Sequence, residues 1–120
     1  MNVWTREEVE LTVADYFTML DAELSGEQFN KASHRKTLVP RLNGRTESAV
    51  ELKHQNISSV LDKHNFPYVV GYKPRGHYQA LLEEIVLLYA DRHSINHLDN
   101  AQIKYPIRAH SWEVFLPPLQ

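Results

Sequence analysis

The side chains that could carry out chemistry in this chain are histidines, carboxylates, hydroxyls and lysines, because it contains no cysteine. That absence excludes disulfides, Cys-based zinc sites, iron–sulfur clusters and thiol nucleophiles, and it fits a reducing compartment. His93 and His97 have a spacing that suits metal ligation on a helix. No HExxH motif accompanies them and the residues between them weaken a helix, so we predict no metal site. The adjacent Glu83 and Glu84 face different directions on a helix, which makes them a poor acid/base pair.

Phosphate-binding loops and targeting segments are also missing from the sequence. The four glycines form neither a GxGxxG nor a GxxxxGK[ST] motif, so nucleotide hydrolysis is not expected. The first residues, MNVWTREEVE, are acidic, and no apolar run approaches the roughly 18 residues of a membrane span. We therefore predict a cytoplasmic protein without a signal peptide or membrane contact, which is not an enzyme by itself and uses no cofactor.

The charged residues divide the chain into segments of opposite sign. Residues 1–30 hold one basic and seven acidic residues, a net charge of −6, whereas residues 31–77 hold nine basic and three acidic residues, a net charge of +6. The middle segment also contains four of the seven histidines. Such a basic segment is either a solvated face or a binding surface for anions or nucleic acid, whose phosphates attract clustered cations.

Two helices are predicted in the first third of the chain. Thr5 and Glu8 form a capping box, and an apolar repeat at helical spacing extends from it, which predicts a helix over about 6–24. A second helix is predicted over 31–42 with Asn30 as its cap. Pro40 is expected to kink this helix or to end it early.

The next two helices should complete one domain over 1–93. A capping box of Ser48 and Glu51 predicts a third helix that ends near His64. A short extended or turn segment follows, and a fourth helix is predicted from about 77 to 92 with a broad apolar face that includes Leu88. Periodicity fades afterwards, so 94–120 is predicted to be an extended tail or linker. The predicted fold class is mainly α, a four-helix, helix-turn-helix-like (Myb/homeodomain-like) domain with this tail.

Two short runs resemble the Myb/SANT family. The run WTREE at 4–8 is similar to the WTxEE opening of those domains, and LNGRT at 42–46, followed by Val50, is similar to the LxGRTxxxV step into their recognition helix. The resemblance implies a helix-turn-helix whose third helix is the recognition helix. Many SANT relatives bind protein tails instead of DNA, so both kinds of partner stay open.

A longer resemblance covers residues 4 to about 90. The residues that carry it are similar to the N-terminal module of bacterial proteins with a NO VEIN-like or HNH nuclease domain farther along, many of them suspected restriction or phage-defence components. It implies an accessory module that finds the substrate of a nuclease, present here as a fragment or a stand-alone copy. The matching residues are Arg45-Thr46, Ser48, Val50-Glu51, the run 53–58, Val60-Leu61, Pro67-Tyr68 and the run 71–75.

On the third helix, Lys53, His54 and Asn56 are expected to project from the polar side. In a major groove the Asn56 amide could pair with an adenine edge while Lys53 reaches guanine or phosphate. The alternatives are a solvated helix face or, for Asn56, burial with its amide tied to a neighbouring backbone. For Arg45 we favour an ion pair with a first-helix carboxylate such as Glu8 or Glu10 over a phosphate contact.

The loop from Tyr72 to His77 combines two cations, an aromatic ring and a stiffening proline. It could clamp a phosphate or stack a base, or it could be only a charged surface loop. The sequence does not tell whether this loop lies on the same face as the third helix. The predicted nucleic-acid-binding set is Lys31, Arg35, Lys36, Arg45, Ser48, Lys53, His54, Asn56, Tyr72, Lys73, Arg75 and His77.

The leading prediction is a non-catalytic module that binds double-stranded DNA for a nuclease domain, in the same chain or in a separate one. Sequence, base modification and shape all remain open as the feature that it reads. The alternative is a protein-interaction or homodimerisation module in which the basic segment of one chain meets the acidic first helix of another. The opposite charges of the two segments suit both predictions.

Overall fold

Four α-helices make up most of residues 3–93, the part of the chain that the computed structural model describes. They are α1 (Arg6–Leu24), α2 (Lys31–Leu38), α3 (Glu47–Lys63) and α4 (Ala80–Arg92), and a 3₁₀ turn, Val39–Arg41, follows α2. Within these residues there is no β-strand, so the mainly helical, four-helix prediction is confirmed. None of the described helices is both long and apolar enough to cross a membrane. The predicted tail, 94–120, lies outside the described residues.

Helix α1 has the predicted bounds because its start is fixed by side chains. The Glu8 N–H donates to Thr5 Oγ1 at 3.2 Å, and the Thr5 N–H donates to Glu8 Oε1 at 3.0 Å, which completes the capping box. Val9, Val13 and Leu20 follow on one face and are fully buried. This face packs against α3 and α4, so α1 forms the centre of the core.

Helix α2 is shorter than predicted. Asn30 caps it as expected, with its side-chain oxygen accepting from the Ser33 N–H at 2.8 Å. The α-helix ends at Leu38, and the chain continues through the 3₁₀ turn that contains Pro40. Proline has no N–H to donate and its ring clashes with the preceding turn, so the α-helical pattern stops before position 42.

Helix α3 begins with a different cap from the one predicted. Thr46, with extended backbone, accepts the Ala49 N–H at 3.1 Å, so Ser48 lies inside the first turn and the proposed box with Glu51 does not form. The turn before it contains Gly44 at φ +72°. The C-terminal end agrees with the prediction, because α3 ends at Lys63 with His64 as its C-cap.

A small apolar cluster joins α2 to α3 across this turn. Leu38, Leu42 and Val50 are buried together, and Trp4 packs against them from the N-terminal segment. Since these residues come from α2, the turn and α3, they hold the three parts in helix-turn-helix order. The orientation of α3 relative to α2 is therefore fixed by packing as well as by the turn.

Tyr16 links the main core to the segment after α3. Its ring is fully buried, and its hydroxyl lies 2.7 Å from Ser58 Oγ and accepts the Val69 N–H at 2.8 Å. A turn closed by the Tyr72 N–H and the Val69 carbonyl follows, at 3.0 Å, where the sequence predicted an extended or turn segment. Tyr16 thus positions the chain that leads into the loop at 73–77.

Helix α4 begins at Ala80, three residues later than predicted, because His77 has a left-handed backbone at φ +63°. Its core face is built from Leu82, Ile85 and Val86, with Ala90 one turn further on. Leu88 falls between these positions and is 43% exposed, so its predicted burial is wrong.

Glycine is expected to be required at position 44 because of its backbone conformation, and not because a side chain would clash there. A Cβ at this position would meet no atom within 4 Å, but the backbone has φ +72°. Gly44→Ala should therefore lower the free energy of unfolding by about 1 kcal/mol, because a non-glycine residue is strained in the left-handed region. Urea denaturation measures this. Gly76→Ala is the control, since that site is equally open and has no positive φ; an equal loss in both variants would contradict the prediction.

Candidate nucleic-acid interface

The surface of α3 differs from the one predicted. His54 and Asn56 are buried at 0% and 3% exposure, so their expected projection into solvent is wrong. The reason is helical spacing: His54 lies four residues after Val50 and three before Ile57, which places it in the buried stripe. The exposed face instead contains Ser48 and Leu52, with half-buried Gln55 beside them. The same spacing could have identified Leu52 and Gln55, which sequence reasoning missed because it followed residue type.

Buried Asn56 holds the loop 73–77 against α3. Its Nδ2 donates to the Arg75 carbonyl at 2.5 Å and to the Gly76 carbonyl at 3.1 Å. The Arg75 N–H in turn donates to the Gln55 carbonyl at 3.1 Å. The structural alternative for Asn56, a tie between this helix and a neighbouring backbone, is therefore correct.

These hydrogen bonds bring the loop and the exposed face of α3 together on one surface. Arg75, Gly76 and His77 form one wall of an open cleft of about 540 Å³, and the exposed side of α3 forms the other. Lys73, Arg75 and His77 are all exposed, and within residues 3–93 no ion pair holds Lys73 or Arg75. We call this surface the α3–loop face. Its residues are Ser48, Glu51, Leu52, Gln55, Arg75, Gly76 and His77, and Lys73 is an exposed neighbour in the same loop.

Of the three cations predicted on α2, two are engaged in contacts within the chain. Lys31 Nζ donates to the Gly71 carbonyl at 2.7 Å and lies 4.5 Å from the centre of the Tyr72 ring. Arg35 lies 3.7 Å from a Glu47 oxygen and 3.9 Å from a Glu51 oxygen. Lys36 is exposed, without an ion pair inside the described range. Lys31 and Arg35 thus hold α2 to its neighbours.

Tyr72 cannot stack on a base in this structure. Its ring is fully buried, 4.8 Å from the His54 ring and 6.2 Å from the Tyr16 ring between centroids. Its predicted stacking role is therefore wrong. Because its position follows from a turn and from long-range packing, the local sequence around the basic loop did not reveal it.

Arg45 forms the ion pair that the sequence favoured, so its alternative role as a phosphate contact is not supported. Its guanidinium donates to both Glu8 oxygens, at 3.0 Å and 2.9 Å, and to the Val3 carbonyl at 3.0 Å. The Glu8 carboxylate also accepts the Asn43 N–H at 2.9 Å. These hydrogen bonds, above all those from Arg45, lower the pKa of Glu8 from 4.5 to about 2. One carboxylate thereby joins α1 to the turn before α3.

Lys53 lies on a different side of α3 from the α3–loop face. Its Nζ is 4.9 Å from the centre of the Trp4 ring, and the Arg45 guanidinium is 4.6 Å from the same ring centre. Burial and the nearby Arg45 charge lower the pKa of Lys53. Lys53 is therefore a packing residue for the N-terminal segment, and a direct contact with guanine from this position is not supported.

A polar cluster is buried where α1, α2 and α3 meet. His34 Nδ1 lies 2.7 Å from Asp15 Oδ1, and His54 Nε2 lies 3.4 Å from Asp15 Oδ2 without hydrogen-bond geometry. Burial lowers the pKa of His54. Burial would raise the pKa of Asp15, but its interactions with His54 and His34 outweigh this and lower it. His54 is thus a neutral core side chain at neutral pH.

Acidification is expected to destabilise the fold through His54. Its ordinary pKa of 6.5 applies to the unfolded chain and is lowered in the fold, so the unfolded chain takes up the proton first. The free energy of unfolding should fall as the pH drops below 6.5, by at most about 1.4 kcal/mol per pH unit for this group. Urea denaturation, carried out at neutral pH and at one pH unit below 6.5, compares the free energy of unfolding under the two conditions. His54→Gln should reduce the slope, whereas the exposed His77→Gln should keep it; equal slopes in all three proteins would contradict the assignment.

Comparisons of the chain with protein-family models, with curated proteins and with solved structures found no match. Within residues 3–93 no group of three or more histidine, aspartate or glutamate side chains is arranged so that it could hold a metal ion. His93 packs on Phe17 with ring centroids 5.0 Å apart, and His97 lies outside the described residues.

Proposed function

We propose that this domain is a non-catalytic module that binds double-stranded DNA with its α3–loop face. The observation that carries the proposal is the double hydrogen bond from Asn56 to the Arg75 and Gly76 carbonyls, which holds Arg75 beside the exposed side of α3. A helix that follows a helix-turn-helix turn is the element that enters a major groove in such modules. A neighbouring loop with Lys73 and Arg75 can then contact the phosphates that flank the groove.

The charges on this surface support DNA as the partner, with modest affinity. Lys73 and Arg75 are exposed cations, and Lys36 adds a third on α2. Glu47 and Glu51 would repel phosphate, but Arg35 lies within 4 Å of both carboxylates and offsets part of their charge. Since few phosphates are neutralised, binding should depend on salt with a shallow slope, about one unit for each cation in contact.

Fluorescence anisotropy with labelled duplexes at several salt concentrations tests the proposal. Lys73→Ala and Arg75→Ala should each weaken binding to all sequences and lower the salt slope by about one. Arg92→Ala, at the far end of α4, removes the same charge and should leave both quantities unchanged. The proposal fails if no duplex binds at low salt, or if the three variants behave alike.

The biological setting of this proposal comes from the sequence resemblance. A module of this kind would bring a nuclease domain, in the same chain or in a separate protein, to its DNA substrate in a bacterial restriction or defence system. Fusing the chain to a nonspecific nuclease domain tests the recruiting role: cleavage should concentrate near the sites that the module binds. Cleavage spread evenly over the DNA would contradict it.

A second candidate function is protein interaction, and the exposure of Leu52 favours it. Leu52 is 43% exposed and lines the cleft of the α3–loop face, as does Glu51. An exposed leucine next to a carboxylate and an arginine also suits a protein partner. Light scattering at low and high salt, without DNA, distinguishes the two: a concentration-dependent dimer would favour this candidate.

The acidic and basic segments of the chain contact each other within one molecule, which limits the charges left for dimerisation. Glu8 binds Arg45, Asp15 binds His34, and Glu23 accepts the Val70 N–H at 2.9 Å. Carboxylates of the acidic α1 thus hold the basic middle segment of the same chain. A dimer built on the remaining exposed charges would dissociate as salt is raised.

A further inference from the structure

Two side chains of the α3–loop face have groups that suit the edges of bases. Gln55 and Leu52 lie three residues apart on α3 and both line the cleft. The Gln55 backbone carbonyl is used by the Arg75 N–H, whereas no hydrogen bond within residues 3–93 uses its side-chain amide. Leu52 offers apolar surface at 43% exposure. Neither side chain is needed for the core, so both are free to make contacts outside the chain.

The chemistry of these groups is specific within a major groove. A glutamine amide pairs with adenine in one way: its oxygen accepts from N6–H and its nitrogen donates to N7, which makes two hydrogen bonds to that base. An apolar side chain contacts the C5-methyl group of thymine or 5-methylcytosine. Residues three apart on a helix are separated by about 4.5 Å along its axis, close to the roughly 3.4 Å between stacked bases.

We infer that Gln55 and Leu52 determine the sequence preference of the module, with Gln55 reading an adenine and Leu52 the C5-methyl group of a pyrimidine on a neighbouring base pair. This inference rests on the proposed DNA binding. Arg75 positions the helix in the groove. Its backbone is hydrogen-bonded to Gln55 and Asn56, so a contact between its side chain and a phosphate sets how deeply Gln55 and Leu52 enter the groove. Asn56, which the sequence offered for the adenine contact, is buried and acts only on the loop.

The experiment begins with selection of duplexes from a random pool by the 120-residue chain, followed by anisotropy on the selected site. Two base analogues probe the contacts. Replacing thymine with uracil removes the methyl group, and replacing adenine with 7-deazaadenine removes N7. Each duplex is measured with the wild type, Leu52→Ala and Gln55→Ala. Leu88→Ala is a matched control because Leu88 is also 43% exposed, and Gln28→Ala replaces an exposed glutamine outside the face.

The wild type should bind the uracil duplex about fourfold more weakly, as expected for one lost methyl contact, and the 7-deazaadenine duplex about tenfold more weakly. Leu52→Ala should abolish only the uracil effect, and Gln55→Ala only the 7-deazaadenine effect. Both controls should retain the two effects. Salt-sensitive binding in which these variants keep the wild-type discrimination overturns this inference and leaves DNA binding intact; no binding to any duplex overturns both.

Discussion

Asn56→Ala is expected to lower the free energy of unfolding by about 2 kcal/mol and to weaken DNA binding without changing which sequence is preferred. The variant removes a buried amide that donates to the Arg75 and Gly76 carbonyls, and it leaves both carbonyls without that donor. The loop then loses its fixed place beside α3, so in the proposed complex its cations would no longer contact phosphates together. Urea denaturation and anisotropy on the same preparation measure the two effects.

Asn43→Ala provides the control for this variant. Asn43 is exposed, and its contact with Glu8 uses the backbone N–H, which alanine keeps. We expect a change within about 0.5 kcal/mol there. If Asn56→Ala were equally mild, the hydrogen bonds to the loop would contribute little. If instead it changed the preferred sequence, Asn56 would have to contact bases directly.

Glu8→Gln is expected to have the largest effect, a loss of about 3 kcal/mol in the free energy of unfolding. The Glu8 carboxylate is 3% exposed, and the Arg45 side chain next to it is 9% exposed. Removing one charge of a buried, hydrogen-bonded pair leaves the other without its partner, which costs far more than losing a surface ion pair. The NH2 group of glutamine would also oppose either the Thr5 N–H or the Asn43 N–H, because these two groups donate to different oxygens of Glu8. Thermal and urea denaturation check the result.

Glu7→Gln is the matched control, because Glu7 lies in the same first turn of α1 and is exposed. That change should be nearly neutral, as for most surface positions. A similar loss in both variants would mean that the first turn of α1 responds to negative charge in general, through the helix dipole, and not to the contact with Arg45.

The ion pair of Glu8 and Arg45 also predicts how the stability of the fold depends on acidic pH. The pKa of Glu8 is lowered from 4.5 to about 2, so its stabilising contribution is fully present above 4.5 and is lost as the pH falls from 4.5 towards 2. This window lies below the one assigned to His54. Circular dichroism during an acid titration should therefore show a steep loss of helix in wild type over that range. Glu8→Gln should lose stability less steeply there.

Helix positions could be predicted from the sequence where local signals are strong. The capping box and apolar stripe fixed both ends of α1, because each signal acts within one or two turns. At α3 two capping signals lie close together, Thr46 and Ser48, and the earlier one is used. Nothing local distinguishes them, since the choice depends on where the Gly44 turn and the Leu38 cluster place the chain.

The candidate site was harder to predict because the polarity of several of its residues does not match their burial. Polar His54 and Asn56 are buried, and apolar Leu52 is exposed. Helical spacing could have placed all three, since His54 belongs to the stripe that includes Val50 and Ile57. The approach of the loop to α3 had no local signal: it depends on hydrogen bonds between residues about 20 positions apart, from a side chain to backbone carbonyls.

The attachment of the loop through its main chain has an evolutionary consequence. Asn56 binds carbonyl oxygens that every amino acid possesses, and the Arg75 N–H bond to α3 is lost only if proline replaces that residue. The side chains at 73 and 75 are therefore free to diversify under selection while the framework beneath them stays the same, whereas position 77 is restricted by its left-handed backbone at φ +63°. One scaffold could in this way acquire new targets by point substitution, and a laboratory library of non-proline residues at positions 73 and 75 would sample them without unfolding the domain.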